Sequence, residues 1–297
     1  MQKLGWIVYN GNLKTDKFLE QIKWLQAAGE KVGFQMELHA NNEQLVMLEN
    51  GKGILTENSI PDFAVYWDKD LYLARQLENQ GVRLFNSARA IEVCDDKALT
   101  FQVLANQQIR MPKTIIAPKI FGELVDARHL SLIEEQFNFP LIIKEAFGSF
   151  GKQVYMIHSK RELREKAQQL ANTPYLIQEF VRSSKGKDIR LQVIGDRVVA
   201  SMLRVSETDF RANLTAGGKM YPYDPTEEEQ KLAIRASQLI GADFAGVDLL
   251  FGEDGLPVLC EVNSNAHFKN MYECTGVDVA QAMMEYVKEK MKEERHT

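Results

Sequence analysis

The segment 244–263, Phe-Ala-Gly-Val-Asp-Leu-Leu-Phe-Gly-Glu-Asp-Gly-Leu-Pro-Val-Leu-Cys-Glu-Val-Asn, constrains this chain more than any other. Asp254-Gly255 between two apolar runs is a strong hairpin signal, because these residues accept the positive φ values of a tight turn. If the two form the whole loop, Asp248 stands directly across from Glu261, about 5 Å away at Cβ. Asn263 shares their face by the period of two. The opposite face then carries Val247, Leu249, Phe251, Val258, Cys260 and Val262, an apolar set suited to burial under helices. Two carboxylates facing each other destabilise a sheet unless something positive lies between them, and a neighbouring amide oxygen adds a hard ligand, which suits Mg²⁺. An acidic hairpin whose carboxylates face water or pair with lysines carries the same pattern. A loop of three residues would move the strands by one and break the alignment.

A chain of 297 residues, 45% hydrophobic and 26% charged, can bury a full cleft between two or three packed lobes. Acidic residues outnumber basic ones by 41 to 36, so no overall positive field invites nucleic acid. No run approaches the roughly 20 apolar residues of a membrane span, and the first residues lack the apolar core of a signal peptide. Cys94, Cys260 and Cys274 form neither a disulfide framework nor a metal pattern, so a cytoplasmic location is expected.

Segments 3–9, 32–38 and 62–66 read as strands alternating with amphipathic helices at 14–28 and 69–79, the pattern of a small α/β domain. Gly29 and Gly81 stand where those helices end, as residues of positive φ, and Asn86-Ser87 caps a further helix. Near Pro112 a second unit opens: strand 113–117, a helix near 122–137, the run Leu141-Ile142-Ile143-Lys144, strand 153–157, helix 160–171 and strand 175–181. Beyond 188 the pattern is again antiparallel, with strands 188–194 and 197–205, a polar loop 206–224 and helix 226–240 ahead of the hairpin. An amphipathic helix over 277–294 places one face on the core.

Gly148-Ser149-Phe150-Gly151-Lys152, between two strands, is either a plain turn or a loop whose N–H groups meet phosphate oxygens. It matches neither a P-loop nor a GxGxxG opening a helix. Lys144, at the end of a buried strand, is placed for a fixed phosphate contact or snorkels at an edge. Gln178-Glu179 interrupts the apolar strand Tyr175 to Val181, which is either a plain strand or one presenting backbone donors and acceptors to an adenine edge. Arg190, Arg204, Arg211 and Asn213 are residue types that stabilise a migrating phosphoryl group. A simple two-residue turn at Gly195-Asp196 puts Arg190 and Arg204 on opposite faces, so a shared site requires a bulge or a longer loop.

Taken in order, Lys97, Lys144, the loop 148–152, Gln178 to Val181, Asp188-Ile189-Arg190, Phe210-Arg211-Ala212-Asn213-Leu214, Asp248 and Glu261-Val262-Asn263 resemble the ATP-grasp ligases, with the RimK-type glutamate ligases the nearest likeness. It runs from about Asp96 to the C-terminus. The resemblance implies an α/β (α+β) ATP-grasp fold with an N-terminal pre-ATP-grasp domain over 1–92, a small lobe over 93–174 and a large lobe over 175–297. It implies an ATP-dependent, ADP-forming carboxylate–amine ligase working through an acyl phosphate. Lys97, Lys144 and Ser149 would contact the phosphates, Gln178, Glu179, Phe180 and Val181 the adenine, and Asp188 the nucleoside. Asp248, Glu261 and Asn263 would hold two Mg²⁺ or Mn²⁺ ions. Arg190, Arg204 and Arg211 would act on the acyl phosphate, with Asn213 and Arg211 also gripping nucleotide phosphates. The partners implied are an amino acid and a carboxylate on a small molecule or peptide, with neither nucleic acid nor membrane; a homo-oligomer is compatible. Ser264-Asn265-Ala266-His267-Phe268-Lys269-Asn270 departs from relatives where the acceptor site would lie, so the ribosomal-tail acceptor of RimK is not carried over. A glutathione-synthase-like or D-alanine-ligase-like enzyme fits the same residues. A silent ATP-binding regulator is opposed by the intact metal set.

Overall fold

The structure, a computed structural model, describes residues 2–55, 60–120, 122, 124–149, 151–214 and 217–293. Phe150 of the glycine loop lies outside the described residues. Its first elements are β1 (Leu4–Tyr9), α1 (Asp16–Lys31), β2 (Gln35–Ala40), a small hairpin of β3 (Val46–Glu49) and β4 (Lys52–Leu55), β5 (Phe63–Trp67), α2 (Leu71–Asn79) and β6 (Arg83–Phe85). Strands β2-β1-β5-β6 pair in that order, all parallel. A parallel sheet is covered on both faces, which is why Phe63–Trp67 is apolar and buried throughout. Helices α3 (Ala88–Asp95) and α4 (Lys97–Leu104) follow, capped by the side chains of Ser87 and Asp96.

A second sheet is antiparallel, in the order β7-β10-β8-β9. Its elements are β7 (Thr114–Ile116), α5 (Ala127–Gln136), β8 (Leu141–Glu145), β9 (Val154–Ile157), α6 (Lys160–Gln169) and β10 (Tyr175–Glu179). The third comprises β11 (Lys187–Ile194), β12 (Arg197–Val205), β13 (Lys219–Pro222), α7 (Glu227–Ile240), β14 (Phe244–Phe251) and β15 (Pro257–Asn263), ordered β13-β12-β11-β14-β15. Helices α8 (Lys269–Thr275) and α9 (Val279–Glu293) end the chain. Met283, Met284, Val287 and Met291 of α9 share a core with Phe18, Ile22 and Leu25 of α1, so the C-terminal helix ties the first sheet to the last.

Some expectations need correction. Helix α1 runs past Gly29, whose position is set by close packing: a Cβ there would lie 2.6 Å from Met36 Cγ. The positive φ falls at Gly33 instead, after the helix. Gly81 does carry the positive φ expected of it. The helix expected near 122 begins at Ala127, where Asp126 accepts from the Arg128 N–H as its cap. The polar loop 206–224 contains β13, an edge strand too short to show a period.

Candidate active site

Two backbone irregularities build the site. At the Gly195-Asp196 turn, Ile194 pairs with Arg197 and Val193 with Val198, whereas Gln192 pairs with Ala200 and Asp188 with Arg204. The extra residue, Val199, is a bulge that turns the rest of β12 over. Asp188, Arg190, Met202 and Arg204 therefore line one cleft. A bulge was one of the two conditions under which both arginines could share a site.

The hairpin reaches its expected pairing by a different route. Its loop has three residues: Gly252 N–H donates to Leu256 O at 2.9 Å, Phe251 pairs with Pro257, and Gly255 takes φ +80°. That offset would have misaligned the carboxylates, but Leu249 pairs with Leu259 and Asp248 with Glu261, so Cys260 is an extra residue that restores the register. The apolar face is corrected accordingly. Leu259 is fully buried in the core, while Cys260 lines the cleft, its Sγ 3.8 Å from Lys144 Nζ. Burial pushes the Cys260 thiol up to about 11, against the pull of Lys144.

The cleft face carries a buried ion network. Arg190 donates to both Asp248 oxygens at 2.6 Å. Arg204 donates to both Asp188 oxygens, at 2.6 and 2.7 Å, and to Asp248 Oδ2 at 2.8 Å. Two arginines balance two aspartates, which is what lets Arg204 and Asp248 be only 4% exposed. Burial would raise the Asp248 carboxyl, but the two adjoining guanidiniums outweigh it and hold it down at about 2. Asp188 shares a single guanidinium, and burial pushes its carboxyl up.

Glu261 is less enclosed and faces Lys97 Nζ at 3.6 Å. Asn263 Nδ2 points to Gly246 O at 3.5 Å, which leaves its amide oxygen on the cleft side. Among the described residues no three His, Cys, Asp or Glu side chains form a metal-holding group. The donor set here is two carboxylates and one amide. All are hard oxygen ligands, and Asp248 Oδ1 accepts from Arg190 Nε with a lone pair to spare, so the set fits a divalent cation.

Lys97 also donates to Gly148 O at 3.0 Å, joining the glycine loop to the hairpin. Lys69 Nζ reaches Ser149 Oγ at 3.3 Å, and Arg211 donates to Gly151 O while Asp209 braces it at 2.7 Å. Asn213 lies against Gly151, where a Cβ would come within 2.9 Å of its Nδ2. Gln178 and Glu179 lie at the end of β10, where their side chains bond Thr114 Oγ1 and Lys113 N–H at 2.9 and 2.8 Å. Phe180 and Val181, past the strand end, face the cleft with Ile142 and Leu250.

The cleft, of about 800 Å³, extends between the sheets to the first domain, and Asn10, Lys17, Asp68 and Lys69 also line it. None of these was singled out from sequence. The available signal was position: Asn10 and Asp68 directly follow two parallel strands, the edge where open α/β sheets bind ligands. His267 lines the same end and lies 2.7 Å from Gln21. Burial first, then repulsion from Lys17 and Arg190, lowers its imidazole to about 4. The unfolded chain therefore binds more protons between about 4 and 6.5, so His267 contributes stability above that window that is lost as pH falls through it. We expect its ring resonances to titrate near pH 4 by NMR; a midpoint at the ordinary value would contradict this packing.

The model of the RimK-like ATP-grasp domain matches residues 94–287, most of the chain, which takes in the second and third sheets but not the first. The chain belongs to the RimK-like ATP-grasp family. It is 35% identical over 232 residues to human N-acetylaspartylglutamate synthase A and 34% identical over 232 residues to human beta-citrylglutamate synthase B. Each match covers 76% of this chain and 58% of the relative, so the chain spans little more than half the length of these synthases. The D-alanine–D-alanine ligase of Bacillus anthracis superposes with a TM-score of 0.72 at 15% identity, covering 99% of this chain and 100% of that one, which shows a shared fold that takes in the first sheet as well. No described helix is long and apolar enough to cross a membrane.

Proposed function

We propose that the protein is an ATP-dependent, ADP-forming carboxylate–amine ligase that joins an amino acid, glutamate foremost, to a carboxylate of a small molecule or peptide. One observation carries this: Asp248, Glu261 and Asn263 line one cleft with Lys97, Lys144, Arg190 and Arg204, and Lys97 ties the glycine loop to it. That is a phosphoryl-transfer constellation without a nucleophilic side chain, in which positioning and electrostatics carry the chemistry.

In the proposed reaction a substrate carboxylate oxygen attacks the γ-phosphorus of ATP and the bond to ADP breaks. The amine nitrogen then attacks the acyl carbon, the carbon–oxygen bond to phosphate breaks, and an amide forms. The ammonium gives up two protons, one leaving with phosphate and one passing to solvent. Glu261, Asn263 and the free lone pair of Asp248 Oδ1 would hold Mg²⁺ or Mn²⁺, which when bound offsets charge on the phosphoryl oxygens. Lys97, beside Glu261, and Lys144, beside Cys260, hold phosphate oxygens, and Ser149 with its loop covers them. Arg190 and Arg204 fix the Asp248 carboxylate, while Arg211 and Asn213 brace the loop from below. Phe180 and Val181 line the adenine with Gln178 and Glu179 supporting them, and Asp188 anchors that end of the network beside the nucleoside. We propose units over 1–92, 93–174 and 175–297, with β10 (Tyr175–Glu179) of the second sheet falling just inside the last.

Glutamate is favoured by the cation Lys17 beside a neutral His267 at the end of the cleft next to the first sheet, and by the glutamate named in both relatives' products. Three free thiols suit a cytoplasmic enzyme. The test is ADP release with Mg²⁺ across N-acetyl-L-aspartate, citrate and short peptides, each with and without L-glutamate. Release that requires both a carboxylate and an amine supports the assignment. ATP hydrolysis indifferent to both would overturn it.

A further inference from the structure

We propose that Asp68 and Asn265 form the subsite for the ammonium group of the incoming amino acid, an inference that rests on the ligase reading for its place in the reaction. In the first sheet, β2 and β5 flank β1 on opposite sides, so the chain reverses direction between β1 and β5 and leaves a crevice at their carboxyl ends. Asn10 follows β1 and Asp68 follows β5, and Asn10 Nδ2 donates across the crevice to Asp68 Oδ1 at 3.3 Å. Asp68 is only 6% exposed, and its Oδ2 has no hydrogen-bond partner. Asn265 spends its amide N–H on Asp68 O at 2.8 Å, which leaves its own Oδ1 buried and equally without a donor.

Two such acceptors on neighbouring cleft-lining residues are costly, and among the described residues none donates to either oxygen. Lys69, next in sequence, is turned away to Asp95 and Ser149. An ammonium brings three N–H donors and a positive charge, matching a carboxylate beside an amide oxygen in both respects. A neutral hydroxyl would match only the first. Burial pushes the Asp68 carboxyl up against the pull of the Lys69 N–H and of Asn10, so a cation there gains by offsetting the burial penalty. The location also suits the chemistry. Asn265 lies two residues beyond Asn263, within about 7 Å along the chain, so an amine held there is within reach of a carboxylate activated beside Glu261.

Equilibrium binding by calorimetry, with Mg²⁺ and a non-hydrolysable ATP analogue present, would compare L-glutamate with glutarate, which differs only in lacking the amine. The parent is expected to prefer L-glutamate by about 100-fold. Asp68→Asn, which puts an N–H donor where the acceptor was, and Asn265→Ala should each cut that preference to about threefold or less while glutarate binds as before. A parent that does not distinguish the two ligands, or variants that keep the full preference, would overturn the subsite. Hydroxylamine trapping of the acyl phosphate separates the two claims. If the parent forms no hydroxamate yet loses its amine preference in Asp68→Asn, the subsite stands and the ligase assignment falls. If hydroxamate forms and the preference survives the substitution, the reverse holds.

Discussion

Replacing Arg204 with methionine is expected to destabilise the protein by about 3–5 kcal/mol, the largest stability effect of any single change in the cleft. Arg204 is 4% exposed and donates to both oxygens of Asp188 and to one of Asp248. Without it Asp248 keeps the two bonds from Arg190, but Asp188 becomes a buried carboxylate with no guanidinium. The penalty is the desolvation of that orphaned charge more than the lost attraction, so removing the charge as well should recover most of it. Urea denaturation of Arg204→Met, Asp188→Leu and the double variant measures this directly. The double variant should be more stable than Arg204→Met alone, and a loss under about 1 kcal/mol in the single variant would show that the network does not hold the sheet together.

Glu261→Ala should leave the fold intact and lower amine-dependent ADP release by about 10²–10³-fold. The side chain is 29% exposed and its nearest charged neighbour is Lys97 at 3.6 Å, so little packing is lost. What goes is one of three oxygen donors for the divalent cation, and with it the placement of the phosphates. A steep rise in the Mg²⁺ concentration needed for half-maximal rate should accompany the loss. A variant with near-parental turnover at low Mg²⁺ would remove Glu261 from the site.

The hairpin was legible because alternation, an Asp-Gly turn and two facing carboxylates agree, and strands 244–251 and 257–263 lie where the pattern put them. Its inner geometry was not. A three-residue loop and an extra residue at Cys260 cancel in register, and neither leaves a mark on the apolar period because Leu259 and Cys260 are both acceptable in a core. The Val199 bulge is similar: the need for one could be argued from the two arginines, but its position depends on pairing with β11 and β13. Gln178 and Glu179 showed their chemistry but not their neighbours, and Thr114 of β7 and Lys113 just before it take the two side chains. Asp68 and Asn265 were invisible as a pair, being 197 residues apart and joined only when the first sheet closes against the end of β15. Long-range contacts of that kind build the end of the cleft beside the first sheet, which is why the proposed nucleotide end was the more readable of the two.

The central claim is that a carboxylate is phosphorylated and then aminated, and transfer of oxygen tests it most directly. A carboxylate that supports amine-dependent ADP release would be prepared with ¹⁸O in its carboxyl group, and the inorganic phosphate analysed by mass spectrometry. One labelled oxygen should appear in each phosphate released, because the carboxylate oxygen that attacks phosphorus leaves with it. Phosphate free of label, with ADP formed at the same rate, would mean that water receives the phosphoryl group and that no acyl phosphate forms.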